Sequence, residues 1–145
     1  SMKAQIINEI SNTKQIALTT DLWTSSNQLG FMVVTAHYIT NDWNLVKRII
    51  SFKELPSPHT GFAISKQLIN TIVEWKAVDK VAFITVNNAS ANDVSVNHLC
   101  MVLNERSPVP LDNSGQFFHV RCSAHIINLI VKDGLKVVCP AVTKL

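Results

Sequence analysis

The chain reads as an α/β domain built on one mixed five-stranded sheet, three antiparallel strands followed by two parallel ones, with helices on its faces. Two features of the pattern predict this. Three successive segments carry β-branched and aromatic residues, the first in a clear period of two, and short turn-forming stretches join them, as in an antiparallel meander. After Pro56 and Pro58 the pattern changes to helical stripes alternating with short apolar runs. Strands separated by helices join by crossovers and run parallel to the first. Size agrees: 145 residues, 47% hydrophobic and 16% charged, suffice for one ordered domain with a sizeable core.

Each element has its own signal. Met2 to Asn12 sets Met2, Ile6, Ile7 and Ile10 on one helical face, a short leading helix. Gln15 to Thr24 alternates, with Ile16, Leu18, Thr20 and Leu22 on one side and Ala17, Thr19, Asp21 and Trp23 on the other. Ser25-Ser26-Asn27-Gln28 turns the chain into a second strand, Gly30 to Thr40, and Asn41-Asp42 into a third, Trp43 to Leu55. Thr60 caps a helix running to about Trp75, with Ile64, Leu68, Ile72 and Trp75 facing inward. Lys80 to Val86 is a continuous apolar run of the kind buried on both faces. A helix from Ala91 to about Glu105 carries Val96, Leu99, Cys100 and Leu103 on one stripe, and Ser107 to Gly115 is a loop. Phe117 to Arg121 is the fifth strand, and Ser123 to Val138 a long apolar helix ending near Gly134 and Pro140. After the leading helix the order is β-β-β-α-β-α-β-α, the element order of the ribonuclease-H-like fold.

Composition narrows function only a little. A mean hydropathy of +0.19 is apolar for a free-standing domain and hints at a partner surface. The net charge of +3 comes from scattered Lys and Arg, with only Lys47-Arg48 adjacent, so DNA binding would be weak. Cys100, Cys122 and Cys139 make an odd, irregular set that reads as reduced thiols. No apolar run reaches the length of a membrane span, no secretory signal opens the chain, and Ser1-Met2 reads as a tag remnant.

The chemistry centres on the corner Ile84-Thr85-Val86-Asn87-Asn88-Ala89-Ser90-Ala91-Asn92-Asp93. In α/β sheets, ligands and metal ions gather at the carboxyl ends of strands. Asp21 sits late in the first strand, and in this topology the first and fourth strands are parallel neighbours, bringing Asp21 and Asn87 together. Two-metal phosphoryl chemistry needs several anionic oxygens around ions roughly 4 Å apart. An amide offers only a neutral oxygen. Asp93 reads as the return partner of a capping box opened by Ser90, and Asn88 and Asn92 as turn and cap residues. Cys122-x-x-His125, with His119 and Cys100 or Cys139, is a thin basis for a zinc site, and reads as a structural thiol and a hydrogen-bonded histidine. His37, His59 and His98 lack companions at useful spacing, and Trp23, Trp43 and Trp75 read as core or rim packing. No P-loop, nucleophile elbow or dinucleotide fingerprint is present, and no small-molecule substrate is expected.

Several motifs together resemble the catalytic core of hAT-superfamily transposases, notably the plant BED-zinc-finger, sleeper-type members. They are Asp21-Leu22-Trp23-Thr24-Ser25, Thr35-Ala36-His37-Tyr38-Ile39, the Trp43-to-Arg48 strand, His59-Thr60-Gly61, the Val86-to-Asp93 corner, and Phe118 through Leu129. The resemblance implies a ribonuclease-H-like core with three catalytic acids. Asp21 matches the first and Asn87 stands at the second. The third, a Glu, follows a helical insertion that begins near the family motif Cys122 and His125. The domain organisation expected is a leading helix over residues 1–14 and a truncated ribonuclease-H-like domain over 15–145, ending where that insertion begins.

Two functions are carried forward. The first is a non-catalytic, transposase-derived module, needing no metal, that binds protein or nucleic acid; Ile126, Ile127, Ile130 and Val131 form its candidate interaction face, open to self-association. The second is a Mg²⁺- or Mn²⁺-dependent nuclease or strand-transfer domain, with Asp21 helped by Asp93, Asp133 or a partner chain. An intracellular setting, nuclear by the resemblance, is expected for either.

Overall fold

The structure, a computed structural model, describes residues 1–87 and 90–142, with only the backbone for Ser90 and residues 139–142. Its elements in order are α1 (Met2–Ser11), β1 (Ile16–Thr24), β2 (Gly30–Ile39), β3 (Leu45–Glu54), α2 (Gly61–Glu74), β4 (Val81–Val86), α3 (Ser90–Arg106), β5 (His119–Arg121) and α4 (Ser123–Val142). The sheet runs β3-β2-β1-β4-β5. β1 is antiparallel to β2 and parallel to β4, and β4 is parallel to β5. The α/β class, the five strands and their mixed directions are as the sequence predicts.

One side of the sheet makes the core. Ile16 and Leu18 of β1, Met32, Val34, Ala36 and Tyr38 of β2, and Ile84 and Val86 of β4 are buried together with Ile10 of α1, Ile64, Leu68 and Ile72 of α2, and Val96, Leu99 and Leu103 of α3. The period of two in the strands and the stripes of the helices meet there, and burial of this apolar set is the main force holding the layers. Polar ties fix α1 to the rest. Tyr38 donates its hydroxyl to Glu9 at 2.6 Å, and Glu74 lies 2.6 Å from Lys3 and 3.3 Å from Lys53. Those two ammonium groups hold the Glu74 carboxyl below its ordinary range.

The segment His59-Thr60-Gly61 is structural. Thr60 caps α2 by accepting the Ala63 N–H at 3.2 Å. The His59 ring bonds the Leu55 carbonyl at 2.9 Å and lies over Gly30, where an added Cβ would stand 2.0 Å from Nε2. Gly61 lets the start of α2 approach α3, since a Cβ there would lie 2.6 Å from the Ala91 carbonyl.

Three local expectations need correction. β4 is not buried on both faces: Phe83 is 40% exposed, because the side of the sheet away from α1, α2 and α3 is not covered by any described element. α4 does not stop near Gly134 but continues to Val142. Glycine weakens a helix interior by roughly 1 kcal/mol relative to alanine without reversing it, and a side chain at Gly134 would meet nothing. β5 is also shorter than expected, since a short 3-10 turn at Asp112–Gly115 precedes it and only His119–Arg121 pair as strand.

Candidate functional site

The corner forms at the carboxyl ends of β1 and β4. Parallel pairing of the two strands ends with Thr19 opposite Thr85. Two residues further along each chain come Asp21 and Asn87, at the ends of neighbouring strands. Asp21 is exposed on the uncovered side of the sheet, and its carboxylate accepts the Leu22 N–H at 3.0 Å. Asn87 is half-buried. The buried Asn92, in the first turn of α3, donates its side-chain amide to the Asn87 side-chain oxygen and, at 3.2 Å, to its backbone oxygen. The corner residue is thus anchored to α3 by a donor that would serve an aspartate equally well.

Other acids expected near this corner are engaged elsewhere. Asp93 lies 3.8 Å from the Nδ1 of His119, an ion pair when the imidazole is protonated, linking α3 to β5. The Ser90 side chain of the expected capping box, and Asn88, lie outside the described residues. Asp133 pairs with Lys136 at 2.9 Å on the exposed α4. Among the described residues, no group of three His, Cys, Asp or Glu side chains converges as a metal site. One carboxylate and one amide at the two strand ends do not fit a pair of divalent cations, whose mutual repulsion needs several anionic ligands.

Cys122 and His125 are both half-buried where β5 passes into α4. The Cys122 N–H donates to the Val86 carbonyl at 3.1 Å, prolonging the β4–β5 ladder, and the Ile126 N–H donates to the Cys122 carbonyl at 3.2 Å, starting the helix. The motif therefore joins strand to helix. Cys100 stands apart, near Asn104 and Ser114, and burial raises its thiol pKa. Cys139 lies outside the described side chains. The remaining histidines have packing partners: His37 faces Thr19 Oγ1 at 3.1 Å, and His98 faces Ser65 Oγ at 2.9 Å.

The uncovered sheet face is the feature the sequence reading missed. Register places Trp23 of β1, Phe31 of β2 and Phe52 of β3 together on it, with ring centroids 5.7–5.9 Å apart. At the opposite end, a cavity of about 510 Å³ is bounded by Ala17, His37, Ile39, Trp43, Leu45 and Phe83. Trp75 packs inside as expected, but Trp43 does not: it is 84% exposed at the β2–β3 turn, because no described element lies over that edge. A signal was available, since β2 and β3 carry large apolar residues at both parities. Ile126, Ile127, Ile130 and Val131 of α4 are also exposed. No helix among the described residues is long and apolar enough to cross a membrane.

A mixed sheet of this order, with an acid late in its central strand, is the architecture of a ribonuclease-H-like core. The chain belongs to the ZBED1 RNase-like domain family, whose model matches residues 19–117, and so to the hAT-type, transposase-derived proteins. It is 38% identical over 131 residues to the Putative AC transposase of Zea mays, covering 90% of this chain and 16% of that protein. It is 33% identical over 120 residues to Zinc finger BED domain-containing protein RICESLEEPER 2 of Oryza sativa subsp. japonica, covering 82% and 16%. With Zinc finger BED domain-containing protein DAYSLEEPER of Arabidopsis thaliana it shares 31% over 125 residues, 84% of this chain and 17% of the relative. The chain thus spans about a sixth of the length of these relatives.

Proposed function

We propose that this domain is a non-catalytic, transposase-derived module that acts by binding, with a protein partner or a second copy of itself as its main ligand and DNA as a weak one. The observation that carries this reading is the neutral amide of Asn87 just past the carboxyl end of β4, next to the strand β1 that bears Asp21. Ribonuclease-H-like cleavage draws on clustered negative charge to hold two cations, one activating the attacking oxygen and one stabilising the leaving oxygen. Here the described corner supplies one carboxylate, and Asp93, in the first turn of α3, faces His119. What the chain does offer is exposed apolar side chains, on the sheet and on α4, of the kind that partners cover. We further infer an intracellular, nuclear setting from the BED-finger relatives.

A second reading, a metal-dependent nuclease or strand-transfer domain, draws support from one observation: Asp21 stays exposed at the position where such a metal ligand would project. Titration with Mg²⁺ and Mn²⁺ in a DNA-cleavage assay separates the two. The expected result is no metal-dependent cleavage. Cleavage that requires metal and disappears in Asp21→Ala would establish the second reading instead.

A further inference from the structure

α1 is held to the domain differently from α2 and α3. Of its ten residues only Ile10 is buried, with Ile6 and Ile7 partly so. α2 instead buries Ile64, Leu68 and Ile72, and α3 buries Val96, Leu99 and Leu103. A helix this short does not stand alone, since isolated helices below about 12–15 residues are marginal in water. Its two charges also run against its dipole. Lys3 sits in the first turn, at the positive end, and Glu9 in the last, at the negative end.

Docking turns both charges to use. Lys3 reaches Glu74 at 2.6 Å, and its ammonium stands 5.4 Å from the centre of the Trp75 ring. Glu9 accepts the Tyr38 hydroxyl at 2.6 Å and lies 3.6 Å from Arg48. The side chains of these ion pairs are 38–47% exposed, so salt screens them. The layer beneath also carries a cost. Trp75 Nε1 is buried with no hydrogen-bond partner among the described residues. Ser51 Oγ is in the same position, two residues before Lys53, whose ammonium meets Glu74 from the other side. A buried polar group left unpaired opposes closure, because opening returns it to water. Past the helix the chain is pinned: Lys80 Nζ donates to the Thr13 carbonyl at 3.1 Å, and the Ile16 N–H donates to the Lys80 carbonyl at 2.8 Å.

We propose that α1 is a strap that opens as one unit about Thr13, melting as it leaves, and that its closed state keeps Tyr38 and Trp75 covered. The closing force is the pair of ties made by Lys3 and Glu9, with Ile10 as the one deep apolar anchor. Local openings of this kind occur well below global unfolding where few apolar contacts hold an element. The sheet, α2 and α3 stay folded meanwhile, since their shared core does not depend on α1 beyond that anchor. This goes beyond the binding-module reading and is independent of it.

Hydrogen exchange read residue by residue by NMR on the 145-residue chain tests this. The amides of Ile6 to Ser11 should share one opening constant and exchange about a hundredfold or more faster than the paired amides of β1 and the interior of α2. Raising NaCl from about 0.1 M to about 1 M should speed α1 roughly threefold and leave β1 and α2 unchanged. Glu9→Gln and Glu74→Gln lie at half-exposed positions and spare the core; each should speed α1 alone, by about threefold. α1 amides that exchange only as slowly as β1 and α2 overturn the proposal. So does a graded profile, fast at Ile6 and as slow as β1 at Ile10, which is fraying from the end. Fast exchange unmoved by salt and by both substitutions overturns it too, because the named ties would then not close the strap. None of these outcomes bears on cleavage at the corner, so the binding-module reading survives or fails by its own assay.

Discussion

Asn92 holds Asn87 through its side-chain amide, and the donor is indifferent to whether the acceptor is an amide oxygen or a carboxylate. Asn87→Asp is therefore expected to fold with an unchanged far-UV spectrum and a melting temperature within a few degrees of the native chain. The same variant is expected to remain without metal-dependent cleavage, because it restores one acid to a corner that needs more; turnover in a Mn²⁺ assay would contradict this. Gly30 is a steric necessity: a methyl group there would collide with the His59 ring and the Leu55 carbonyl. Gly30→Ala should cost about 1–3 kcal/mol in urea unfolding. His37 has its pKa held below the ordinary 6.5 by burial and then by Lys47. Its folded pKa is depressed, so its contribution to stability is present above pH 6.5 and lost as the pH falls through the lower folded value. Denaturation midpoints measured between pH 8 and 5 should fall over the acidic part of that range, and less so in His37→Gln.

Among the elements, α2 shows how a short motif can be structural throughout. Thr60 caps it, and Gly61 lets it meet α3 at close range. Thr60→Ala should lower stability by about 1 kcal/mol, read from the urea midpoint at unchanged slope. The strands with a clean period of two were legible from sequence, because alternation along Ile16 to Leu22 translates directly into one buried and one exposed side. β4 and α4 were harder. A run such as Val81 to Val86 looks apolar whichever faces are covered, and Gly134 reads as a stop although the helix passes through it. Local sequence carries the tendency to form an element; it does not record what lies over it.

At the scale of the whole molecule, α1 is joined to the sheet through Tyr38, Glu9 and Arg48, with Arg48 3.6 Å from the Glu9 carboxylate. Burial, and then Glu9, push the Tyr38 phenol up from 10 to about 12. A raised folded pKa means stability that is complete below pH 10 and is lost as the pH climbs through the folded value. Thermal unfolding between pH 9 and 12 should show that loss, and Tyr38→Phe should flatten it. The sequence by itself determined the element order, the inward stripes and the neutral residue at the corner, because period, turn chemistry and side-chain type are local properties. Only the tertiary structure decided that Asp93 turns to His119, that Trp43 stands bare at its turn, and that one side of the sheet is left open by the described elements. Those outcomes depend on which distant segments pack together, and burial is a property of the assembled layers that no single stretch of chain contains.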